Sequence, residues 1–188
     1  MSLLDGLRRR FARAPEPVRA AVQAAGDPDE DVLAWGTLVR DEGWLVATSR
    51  GLRVVGPAGE ESAALLPWHR VGHARWAATA DGGSFTVTPL EEVEPGVQAR
   101  MPARRHALAD PGELPTVVRR RVDETVVDSR RHPLPGRGSV LLVARRLPGQ
   151  AAREWTVVFD QEADRADQGA REEARRRLAE VLDAERPD

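Results

Sequence analysis

A few groups of residues have the types and spacing from which chemistry is built. His69 and His73 stand four apart, a spacing that chelates a metal from one face of a helix. A metalloprotease motif would add a Glu, and none accompanies them. On a strand the two imidazoles project to the same side but ~13 Å apart, too far to share an ion. His106 and His132 have no partner in sequence. Asp160, Glu162, Asp164 and Asp167 crowd one short stretch. The calcium-loop pattern with its central Gly is missing there, so they read as a helix-capping loop. Gly136-Arg137-Gly138-Ser139 has the composition of a phosphate cradle. Such cradles precede a helix N-terminus, whereas this one precedes a strand-like run, so it reads as a turn. No Gly-x-Ser-x-Gly occurs, and Ser-x-x-Lys is impossible in a chain without Lys. The expectation is no catalytic residue, no metal ligand and no cofactor site, with a dispersed active site as the alternative.

Two arginine triplets, Arg119-Arg120-Arg121 and Arg175-Arg176-Arg177, suggest a nucleic-acid stripe. On helices, Arg119 meets Asp123, Arg120 meets Glu124, Arg176 follows Glu172 and Arg177 follows Glu173, all four residues apart. Pairing neutralises both triplets, so no nucleic acid is expected. Composition agrees. Net charge is −2, and all 28 basic residues are Arg. The chain also lacks Asn, Ile, Tyr and Cys. Lys, Asn, Ile and Tyr have AT-rich codons, so the usage points to a GC-rich genome of actinobacterial type. Arg in place of Lys throughout makes an Arg run weaker evidence for phosphate binding. Without Cys there are no disulfides, no thiol catalysis and no Cys-ligated zinc or iron–sulfur centre. No apolar run approaches the ~20 residues that span a bilayer. Charges occupy the N-terminal region where a signal peptide needs an apolar stretch, so a cytoplasmic protein is expected. Of the five Trp, at 35, 44, 68, 76 and 155, most should be core, because three Phe and no Tyr leave Trp to supply the large rings.

The elements that must position these residues follow from periodicity. Helical spacing predicts a short arm over 2–12 and a helix over 16–25 that stops at Gly26. Strands are expected at Val32–Arg40, Trp44–Ser49, Leu52–Val55, Ala63–Trp68, Val71–Ala78 and Ser84–Thr88, with Trp76, Phe85 and Val87 facing inward. Pro89, Pro95, Gly96 and Pro102 make 89–102 read as loop. A short strand at Arg104–Leu108 precedes a helix over 113–129, marked by Leu114, Val118, Val122 and Val126. Strands at Ser139–Arg146 and Glu154–Asp160 precede a helix to about Ala184, capped by Asp164 or Asp167.

Two pieces carry a resemblance. Ala47-Thr48-Ser49-Arg50-Gly51-Leu52-Arg53-Val54-Val55 resembles the strand, Thr-x-x-Arg, strand hairpin of bacterial pleckstrin-homology-like (PH-like) domains. Leu66-Pro67-Trp68-His69-Arg70-Val71 is similar to their Pro-Trp-x-x-hydrophobic strand. The likeness covers about residues 31–130. It implies an α+β fold: an antiparallel bent sheet or half-barrel capped by one helix. The C-terminal β-hairpin and helix are additional to it. The chain then divides into an N-terminal helical arm (1–26), a PH-like sheet and helix (31–130) and a C-terminal hairpin and helix (131–188), the last packed on the same core. Phosphoinositide-binding members of the eukaryotic family use a basic loop between the first two strands. Here that loop is the acidic Asp41-Glu42, so no specific phosphoinositide binding is expected.

The expected role is a non-enzymatic interaction or scaffold module. An enzyme with a dispersed site, or a peripheral membrane or nucleic-acid binder, are the alternatives. The expected docking residues are Leu3, Leu4, Leu7 and Phe11, the apolar face of the arm. A helix of that length is marginal alone. It must pack on something or fray: its own domain first, a second copy or a protein partner next, and a membrane surface third, where one short face supplies little buried area.

Overall fold

The computed structural model describes residues 13–146, 153–160 and 162–185, with the backbone alone at 61–63. Helix α1 (Glu16–Ala24) starts with Pro17 in its first turn, where a missing N–H leaves no helical bond unmade. It ends before Gly26, whose φ of 82° is the left-handed conformation common after helices. Val18 and Val22, one turn apart, are buried on the first strands, with Val46, Val55, Trp35 and Trp44 around Val18.

Strands β1 (Val32–Leu38), β2 (Trp44–Thr48), β3 (Gly51–Val55) and β4 (Glu61–Pro67) follow as an antiparallel meander. The β1–β2 connection is a 3-10 turn at Val39–Asp41, longer than a minimal hairpin loop. Arg40 and Asp41 take φ of 58° and 55° there, and Gly43 takes 107°. A Cβ on Gly43 would run into the Val55 carbonyl, so the turn needs glycine at that position.

Thr48 is the hub of the β2–β3 turn. Its hydroxyl donates to Glu30 Oε1 at 2.6 Å and accepts from the N–H groups of Arg50 and Gly51, each at 3.1 Å. Glu30 accepts from Arg53 Nε at 2.9 Å and Nη2 at 2.7 Å, with both side chains withdrawn from solvent. Arg50 Nε donates to Asp27 at 2.7 Å. Trp68, buried in a second 3-10 turn after β4, donates its Nε1 hydrogen to the Thr48 carbonyl at 3.0 Å. The residues that carry the sequence resemblance thus lock a turn.

Strands β5 (Val71–Thr79), β6 (Gly82–Glu94), β7 (Val97–Arg100) and β8 (Arg104–Asp110) lead into helix α2 (Leu114–Thr125). Strands β9 (Val126–Pro133), β10 (Ser139–Arg146) and β11 (Arg153–Phe159) precede helix α3 (Gln168–Ala184). The fold is α+β. Its eleven described strands join in the order β4-β3-β2-β1-β8-β6-β7-β11-β10-β9, with β5 branching from β6. The pairing is antiparallel except between β11 and β7, and β4 and β9 end an open ladder.

Strand β6 connects two halves. Its first part pairs with β5 and β8, and Leu90–Glu94 pairs with β7. Two cores follow. In one, Leu114, Val117 and Val118 of α2 pack among Leu45, Trp68, Phe85 and Leu108. In the other, Ala170, Ala174 and Val181 of α3 cover Val97, Leu142, Trp155, Val157 and Phe159. Phe85 and Val87 are buried as expected, and Trp76 is half-buried against the first core. Trp155 is buried beneath the guanidiniums of Arg130 and Arg153, 5.3 and 5.9 Å from its ring centre. Among the described residues no helix is long and apolar enough to cross a membrane.

Two expectations are corrected. Residues 89–102 are mostly strand. Pro89 lies where β6 exchanges one set of partners for the other, and its carbonyl still accepts from Met101 N–H at 2.9 Å. Pro95-Gly96 is only the β6–β7 turn, with Gly96 at φ 73°. The helix expected over 113–129 stops at Thr125, whose hydroxyl donates back to the Val122 carbonyl at 2.8 Å. The β-branched Val126-Val127 then begins β9, which gives the edge of β10 a partner.

Candidate functional site

The loop before α3 spends its carboxylates locally. Asp160 accepts from the Ser139 hydroxyl at 2.6 Å and N–H at 2.8 Å, and from the N–H groups of Ala163 at 2.9 Å and Glu162 at 3.0 Å. Burial works against its charge, yet these bonds hold the carboxyl below the usual range. Asp164 accepts from Ala166 N–H at 2.8 Å, and Asp167 caps α3 by accepting from Ala170 N–H at 2.7 Å. The acidic stretch is therefore a capping loop. The Gly136–Ser139 segment is the β9–β10 turn, closed by Leu134 N–H to the Gly138 carbonyl at 3.1 Å.

This capped start of α3 faces the β6–β7 hairpin, and between them lies a pocket of about 40 Å³. Arg171, Ala174 and Arg175 come from α3, at a spacing that puts them on one face. Arg165 comes from the capping loop, Phe159 from the end of β11, and Val93, Glu94 and Val97 from the hairpin. Val97, Phe159 and Ala174 are buried, while Val93 at the mouth is 54% exposed. Glu94 pairs with Arg175 Nη2 at 2.9 Å. Arg165 and Arg171 have no carboxylate partner among the described residues, and Arg171 Nε is buried without an acceptor. Three guanidiniums and one carboxylate thus surround an apolar floor. That set can hold an oxyanion through planar N–H forks and seat a small aliphatic group beside it.

Other sequence candidates fall elsewhere. The α2 triplet is neutralised along the helix: Arg119–Asp123 at 3.9 Å, Arg120–Glu124 at 3.8 Å and Arg121–Glu124 at 3.1 Å. The α3 triplet behaves differently from expectation. Arg176 and Arg177 share Glu173 and Glu180, while Glu172 accepts from Gln168. Arg175 leaves the helix surface for Glu94, so part of the pocket was hidden inside a run read as self-neutralised. The signal that could have found it is the lack of an acid four residues from Arg175, at Arg171 and Ala179.

His69 lies in the second 3-10 turn and His73 on β5, and among the described residues no three His, Asp or Glu side chains are grouped to hold a metal. Burial, then the nearby Arg70 and Arg145, push the His69 imidazole below its ordinary value, so it is neutral near pH 7. His106 on β8 is lowered by burial and by Arg104. His132 is on β9, apart from both. Arg145 of β10 is buried, which lowers its pKa. Its Nη1 donates to Thr125 Oγ1 at 2.8 Å, at the C-terminus of α2 where the helix dipole favours a cation. The expected docking residues Leu3, Leu4, Leu7 and Phe11 lie outside the described residues.

Comparison of the chain with protein-family models, with curated proteins and with solved structures finds no match.

Proposed function

We propose that this chain is a non-enzymatic interaction module of PH-like type, working in the cytoplasm, whose partner docks at the α3 pocket. The antiparallel run β4-β3-β2-β1-β8-β6-β5, with α2 packed on its core, supports the PH-like part. The observation that carries the docking part is the pocket: an exposed Val93 and two uncompensated arginines beside a buried apolar floor. Such a mixture is what a protein surface offers a partner. The exposed Asp41 and Glu42 support the absence of specific phosphoinositide binding.

Panning a random peptide library against the full chain tests the docking reading. Selected peptides should lose binding to Val93→Asp and keep binding to Val127→Asp, a substitution at another exposed valine on β9. Peptides that bind both variants and the parent chain equally would overturn it.

A further inference from the structure

We propose that the α3 pocket selects an acidic peptide in which an Asp or Glu neighbours an aliphatic residue, the carboxylate meeting Arg165 and Arg171 and the aliphatic group meeting Val93 and Phe159. The proposal rests on the docking reading above and adds the chemistry of the partner.

Charge gives the first argument. Arg50, Arg53, Arg153, Arg176 and Arg177 all have carboxylate partners at hydrogen-bonding distance. Arg165 and Arg171 lack one among the described residues, as Arg70, Arg75 and Arg146 do elsewhere, but these two are set apart by lining one pocket together. A partly withdrawn guanidinium with a buried Nε gains from an anion more than an exposed one does, because less water competes. Glu94 remains in the lining, which suits a singly charged carboxylate better than a doubly charged phosphate.

Size gives the second argument. A pocket that encloses a small molecule has roughly 300–1,000 Å³. About 40 Å³ receives the end of one side chain, with the rest of the partner lying outside. A peptide anchored by one aliphatic group fits that geometry. The chain's own N-terminal arm does not, since Arg8, Arg9, Arg10 and Arg13 outnumber its single Asp5.

The peptides selected above supply the test. Binders that depend on Val93 should be enriched in Asp or Glu next to Val, Leu or Ile. Synthesised as free peptides, they should bind at least tenfold more weakly to Arg171→Gln and to Arg165→Gln than to the parent, while Arg120→Gln on α2 leaves binding unchanged. Binding should also weaken as salt rises. Thermal melts of each variant establish that it is folded; should Arg171→Gln not fold, Arg165→Gln at its exposed position decides. Pocket-dependent binders without acidic residues would overturn the proposal while sparing the docking reading. Absence of pocket-dependent binders, or loss of binding through self-association of the chain at this pocket, would overturn both.

Discussion

At the β2–β3 turn, Arg53 gives two nitrogens to Glu30 and is sealed from solvent. At the α3 pocket, Arg171 keeps a buried Nε without an acceptor among the described residues. The same side chain does different work in the two regions. In the first, Glu30, Thr48, Arg53 and Trp68 are matched to one another within the chain, and the result is a tied turn. In the second, hydrogen-bonding capacity is left over, and left over beside an apolar floor. A matched arginine belongs to folding. An unmatched one in a concave site is available to something else.

Breaking the matched region should have the largest effects. Glu30→Ala takes the two-nitrogen carboxylate partner away from the buried Arg53, and losing one partner of a buried pair costs ~3–5 kcal/mol. Urea unfolding reads this as a lower midpoint. Trp68→Ala removes a core ring, again ~3–5 kcal/mol, and also the donor to the Thr48 carbonyl. An unchanged midpoint for either variant would mean the turn is not held as described.

Acid should act on the same network. Burial disfavours the Glu30 charge, but Arg53 and Thr48 more than offset it and hold the carboxyl below its ordinary 4.5. A lowered folded-state value means the stabilisation is full above 4.5 and fades as pH falls through that lower value. Glu30→Gln should therefore show a flatter loss of stability in acid than the parent, measured by melts across the acidic range.

Smaller effects sharpen the other side. Asp167→Ala removes the cap of α3 and should cost about 0.5–2 kcal/mol. If the pocket depends on a rigid helix start, the same variant also weakens peptide binding. Arg171→Gln should change stability least, within about 0.5 kcal/mol, because the half-buried side chain gives up no ion pair among the described residues. A loss as large as that of Glu30→Ala would show that Arg171 is matched after all, and the contrast between the regions would collapse.

How far the sequence discloses each region follows from the same distinction. The turn network was partly legible. Thr48, Arg50 and Gly51 sit together in sequence, and Trp68 is flanked by apolar neighbours. The Asp167 cap and the α2 pairs were legible too, because caps and i,i+4 partners are local. The pocket was not. Arg175 meets Glu94 across 81 residues, and nothing near either residue announces the other. Pro95-Gly96 and Pro102 do fall in connections, but Pro89 lies inside β6, and reading all four as loop concealed the strands on either side. Val126 continued a helical spacing, and its β-branching together with the pairing to β10 makes it extended.

Strand β6 has a mechanical consequence. One unbroken thirteen-residue backbone is shared by both halves, and proline's restricted φ stiffens it at the changeover. Strands β5 and β8 hold it up to Pro89 and β7 from Leu90 onward, so its own backbone is what joins the two sets of partners. A load applied at the hairpin tip beside the pocket is therefore carried directly into the sheet that α2 covers.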